Sequence, residues 1–90
     1  MPTVRDALKL IVPRTRHLTC ANVAQQLGVS EAMLEHSFAP LVLRGLLDVI
    51  GHAGRFPTWR SRAGNSVAEF IVKTDGLLPP LIFDFDRPLA

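Results

Sequence analysis

Few side chains in this 90-residue sequence have the types and spacing that covalent or metal chemistry needs. Cys20 is the single cysteine, and it follows Thr19 at the expected start of a helix, where the helix dipole lowers a thiol pKa. Only His17 lies near it in sequence, and a small buried residue is the simpler reading. His17, His36 and His52 lack metal-ligand spacing, so no metal site is expected. Asp84 and Asp86 could pair as carboxylates or hold a cation, but they alternate with Phe83 and Phe85 as the solvated face of a strand does. There is no glycine-rich phosphate loop and no nucleophile elbow. The expectation is therefore not an enzyme, and no cofactor. Charge is the other resource. Arg14, Arg16 and His17 make a short basic loop that is either simply solvated or grips phosphate oxygens.

Composition narrows the class. Ninety residues, 48% of them apolar and 20% charged, suit one globular domain with one small core rather than a disordered chain. No apolar run approaches the roughly 18–20 residues of a membrane span. Asp6 interrupts any signal-like stretch at the N-terminus, and one cysteine cannot form an internal disulfide. A cytoplasmic protein without a membrane partner is expected. The formal charge of +2 conceals a pattern: residues 1–17 carry +3, 18–50 carry −2, 51–74 carry +3 and 75–90 carry −2. Two basic segments thus flank an acidic centre, and local fields decide partners more than the total does.

The elements that must position these groups centre on Leu18–Leu46. Thr19 is suited to cap a helix over CANVAQQL, with Val23, Ala24 and Leu27 on one face. Gly28 supplies a left-handed stop, Val29 tucks under the turn, and Ser30 caps a helix with Leu34, Phe38 and Leu41 inward. That spacing is a helix-turn-helix signature. Before it, Thr3 and Asp6 form a capping box for a helix from Thr3 to Val12, stopped by Pro13. Pro40 should kink the later helix, or break it and open a new turn, because it lacks a donor and collides with the His36 carbonyl. Gly45 ends that helix. Leu46–Ile50 then reads as a strand, Gly51–Gly54 as a turn and Arg55–Arg60 as the partner strand, with Pro57 confining it to an edge or bulge. Val67–Lys73 is ambiguous: its Val, Phe and Ile content favours a strand with Ala68, Phe70 and Val72 on one face, whereas Ser66 and Glu69 spell a helix cap with Gly76 as a stop. The strand is the reading preferred. Pro79 and Pro80 force an extended tail, and LIFDFDRPLA resembles an edge strand with one apolar face.

Three helices followed by a hairpin resemble the winged helix-turn-helix family over roughly residues 3–60. The resemblance is strongest from Thr19 to Leu47, at "LGVS" (Leu27–Ser30) and "GLL" (Gly45–Leu47). A narrower resemblance, in "VRD" at Val4–Asp6 and the spacing of Met33, Phe38, Leu41 and Gly45, is to FeoC-type winged-helix proteins. The wing of that family bears a cysteine cluster; this one has none, so an iron–sulfur role does not transfer. The resemblance implies an α+β winged helix-turn-helix domain over residues 1–76, with three helices and a small antiparallel wing. Residues 77–90 would form an extended tail packed on the domain or on a partner subunit.

The same resemblance implies binding of double-stranded DNA by a homodimeric transcriptional regulator. Its third helix, through Ser30, Met33, His36 and Ser37, would enter the major groove. Arg55, Trp59, Arg60 and Arg62 would form a basic wing, and Arg14, Arg16 and His17 would grip phosphates from the other side. The third helix departs from the pattern. Its outward positions, Glu31, Ala32, Met33, Glu35, His36 and Ala39, include no Arg, Lys, Asn or Gln to read base edges bidentately. The alternative is a module that binds a protein partner through this acidic helix, Val42, Leu43 and the Phe-rich tail, without binding DNA.

Overall fold

In the computed structural model, which describes residues 1–13, 18–74 and 87–89, each helix starts at a side chain that replaces a missing backbone partner. Before α1 (Val4–Ile11), the Asp6 amide donates to the Thr3 hydroxyl at 3.2 Å and the Thr3 amide donates to the Asp6 carboxylate at 3.0 Å. Thr19 and Asn22 make the same reciprocal pair at α2 (Cys20–Leu27). The Met33 amide donates to the Ser30 hydroxyl at the head of α3 (Glu31–Leu43). An antiparallel hairpin of β1 (Leu47–Ala53) and β2 (Phe56–Ser61) follows, and then α4 (Val67–Thr74). Among the described residues the layout is α+β, with four helices and one two-stranded sheet.

Helical spacing decides what each helix buries. Ala7, Leu8 and Ile11 of α1, Val23 and Ala24 of α2, and Leu34, Phe38 and Leu41 of α3 form the core, joined by Leu47 and Trp59 from the hairpin. The Phe38 and Trp59 rings meet edge to face, with centroids 4.9 Å apart and planes at 82°. That contact contributes about 0.5–1.5 kcal/mol beyond the area it buries, and it ties α3 to the hairpin. Between α2 and α3 the chain turns at Gly28 (φ +70°), a conformation that costs residues with a Cβ. The Val29 amide then reaches back to the Ala24 carbonyl at 3.1 Å. α3 closes with Leu46 N–H to the Leu41 carbonyl at 2.9 Å and Gly45 N–H to the Val42 carbonyl at 3.0 Å, the bond pair of a Schellman end.

Three expectations change. α3 runs unbroken from Glu31 to Leu43 with Pro40 inside it. Pro40 lies in the last turn, so it forfeits one bond near the helix end and does not break the helix. The hairpin turn is Gly54–Arg55 rather than Gly51–Gly54, and Gly51 lies within β1. Pro57 is buried and pairs with His52 in a sheet whose two strands are both edges, consistent with its missing donor.

The largest change is residues 67–74, which form a fourth helix and not a strand. The Glu69 amide donates to the Ser66 hydroxyl at 3.1 Å, and the Asn65 amide donates to the Glu69 carboxylate at 3.3 Å. Val67, Phe70 and Thr74 are buried at helical spacing. Phe70 is 0% exposed and Val72 75%, which splits the face a strand would have shared.

The chain end returns to its beginning. Val4 N–H donates to the Arg87 carbonyl at 3.2 Å, Leu89 N–H donates to the Pro2 carbonyl at 3.1 Å, and the Leu89 side chain is buried. The alternating segment 81–86 and the Gly76 stop lie outside the described residues.

Candidate nucleic-acid interface

At about 100° per residue, a helix that turns Leu34, Phe38 and Leu41 inward must turn Ala32, His36, Ala39 and Leu43 outward. The structure agrees: Ala32, Met33, Glu35, His36 and Ala39 are exposed, and Ser37 is half-buried. Leu43 is 86% exposed and Met33 37%. Ser30 is exposed, but its hydroxyl already accepts the Met33 amide as the helix cap. Glu35 is the charged residue among these side chains.

Glu31 and Glu35 occupy one flank of α3, and Cys20 shows which. The Cys20 thiol is buried and lies 3.6 Å from the Glu31 carbonyl, to which it donates. Burial pushes its pKa up to about 11, with the Glu31 and Glu35 charges adding to the effect. The two carboxylates therefore lie towards the N-terminus of α2. Desolvation outweighs the helix dipole, so the expectation of a lowered thiol pKa gives way to a protonated, buried side chain.

The hairpin carries the charge. Gly54 has φ +68°, and no other residue of its turn has a positive φ, so Gly54 then Arg55 is the order of a type II′ turn, with Ala53 and Phe56 as the closing pair. This sets Arg55 at the exposed tip. Further down, Asp48 stands opposite Arg60 in the register, and its carboxylate lies 3.2 Å from Arg62 Nε. A Cβ added at Gly45 would sit 3.7 Å from an Arg62 guanidinium nitrogen, so Arg62 lies over the C-terminal end of α3, where the helix dipole favours a cation. Residues 44–62 hold four arginines against Asp48 alone. Among the described residues, Arg44, Arg55 and Arg60 have no carboxylate within ion-pair distance.

Of the residues expected to contact a duplex, the structure brings Met33, His36, Ser37, Arg55, Arg60 and Arg62 to the surfaces of α3 and the hairpin. Trp59 does not join them: it is 6% exposed and packs on Phe38, because its position in β2 shares the inward face with Pro57 and Ser61. Arg14, Arg16 and His17 lie outside the described residues. Sequence reasoning passed over exposed Arg44, although its place just past the last turn of α3 signals an outward cation. It also missed the bulge at Ile50, where the register skips from Val49 to Gly51 and leaves Val49 and Ile50 each 41% exposed.

No group of three or more His, Cys, Asp or Glu side chains among the described residues could hold a metal ion, and no helix among them is long and apolar enough to cross a membrane. Compared with known proteins, the chain matches no family model, and neither curated proteins nor solved structures give a significant match.

Proposed function

We propose that this chain is a winged-helix DNA-binding protein acting as a transcriptional regulator, with α3 in the major groove and the β1–β2 hairpin as a wing on the phosphate backbone. One observation carries the reading: an exposed helix face whose carboxylates lie on one flank is tied through Phe38 and Trp59 to a hairpin whose outer cations outnumber its single carboxylate. Arg44, Arg55 and Arg60 supply phosphate contacts, and Arg62 contributes less because Asp48 shares it. Three contacts give a log–log salt slope of about −3. Pairing two copies on a palindromic site would add surface that a single small module lacks.

Fluorescence anisotropy with a mixed-sequence duplex across a salt series tests this. Binding should weaken with that slope, and Arg55→Ala with Arg60→Ala should reduce it by about two. Absence of binding at low salt sinks the proposal. A second reading rests on the exposed apolar side chains of α3 and β1, Leu43 at 86% and Val49 and Ile50 at 41% each, which would dock a protein instead. It is favoured if Leu43→Ser changes the sedimentation of the pure protein while DNA binding is absent.

A further inference from the structure

We infer that the duplex this site takes is rich in A·T pairs, read by α3 through thymine methyl groups and by Arg55 through a narrow minor groove. The inference rests on the DNA-binding reading above and deepens it. Consider first what the outward surface of α3 offers a base edge. Ala32, Met33 and Ala39 present methyl and thioether groups, and His36 presents one imidazole. None has the paired hydrogen-bonding atoms that match N7 and O6 of guanine or N7 and N6 of adenine. The major-groove feature that an apolar side chain can recognise is the C5 methyl of thymine. Pressed against a G·C edge, the same methyls would strip water from donors and acceptors and return nothing.

Exposed Glu35, and half-buried Glu31 one turn before it, could select another base by accepting from the N4 amino group of cytosine. One residue from inward Leu34, Glu35 lies on one flank of α3 and Met33 on the other, with Ala32, His36 and Ala39 between them. The hairpin points to the same base pairs independently. The type II′ turn holds Arg55 exposed at the tip, and no carboxylate among the described residues pairs with it. Runs of A·T narrow the minor groove and deepen its negative potential, which draws a guanidinium. Asp48 binds Arg62 and stands opposite Arg60 at the hairpin base, so Arg55 at the tip is the hairpin arginine set apart from that carboxylate.

Anisotropy titrations of the full chain at moderate salt, with three duplexes of equal length, test the inference. One is an A·T-rich duplex, the second is the same sequence with deoxyuridine in place of thymidine, and the third is G·C-rich. The A·T-rich duplex should bind about tenfold tighter than the G·C-rich one. Removing the methyls should forfeit part of that preference, and Met33→Ala, at an exposed position, should narrow the difference between the thymidine and deoxyuridine duplexes. Arg55→Lys keeps the charge but should shrink the A·T preference more than the affinity for G·C. Equal affinity for all three duplexes overturns the inference and leaves DNA binding standing. A cytosine preference abolished by Glu35→Gln overturns it in favour of carboxylate readout. No binding to any duplex at low salt overturns both readings.

Discussion

Helix α3 and the β1–β2 hairpin share an inner face, the Phe38–Trp59 contact, and differ on their outer faces. The helix shows alanines, Met33, one imidazole and Leu43 to solvent, with exposed Glu35 on one flank; the hairpin shows arginines around one aspartate. The cations thus sit apart from the alanines of α3, and helix and hairpin are held together by the aromatic packing between them. The lesson is that an interface with an uncharged centre can still attract a polyanion, provided that the cations sit on a neighbouring element fixed to it. It also shows why residue type alone misled at Trp59. An aromatic among arginines suggests a surface platform, but the two-residue period of β2 turns that position into the core.

Breaking the joint should have the largest effect. Phe38→Ala should lower unfolding free energy by about 3–5 kcal/mol in a urea titration, with a red shift of the emission of the sole tryptophan. A loss below about 1 kcal/mol would mean that helix and hairpin are held independently. Pro40→Ala sharpens the helical side: restoring the donor to the last turn should raise stability by about 1–3 kcal/mol, read as a higher urea midpoint. On the hairpin side, Gly54→Ala has open space around its new methyl but must hold φ near +68°, so a loss of about 1 kcal/mol is expected.

Asp48→Ala should move stability by no more than about 1 kcal/mol, since the Asp48–Arg62 pair is about half exposed. The same change should tighten duplex binding and steepen its salt slope by about one if the hairpin contacts phosphates. The buried Cys20 thiol offers an effect that appears only at alkaline pH. The folded Cys20 pKa of about 11 lies above the ordinary 9.0, so its contribution is complete below pH 9 and is lost as pH rises towards 11. The urea midpoint should fall over that window, and Cys20→Ala should flatten the fall.

Short-range patterns were readable before any coordinates. Thr3, Thr19 and Ser30 cap the helices assigned to them, and Gly28 and Gly45 terminate two of them, because a cap or a left-handed stop involves atoms only a few residues apart. Residues 67–74 show where such reading falters. Ser66 and Glu69 signal a helix while the β-branched and aromatic content signals a strand; burial of Val67, Phe70 and Thr74 settles the period. The outward residues of α3 followed from its inward ones, so the uncharged centre of the candidate site was legible too.

Sequence by itself determined where helices begin and end, which of their faces are apolar and how the charge is distributed along the chain, since each depends on neighbours in the chain. Only the tertiary structure decided that Trp59 faces inward, that Asp48 bridges to Arg62, that Arg55 reaches the tip and that Leu89 packs into the core beside the N-terminus. Those outcomes depend on strand register and on contacts between residues far apart in the chain. A shift of one position in β2 would move Trp59 outward and Arg60 inward.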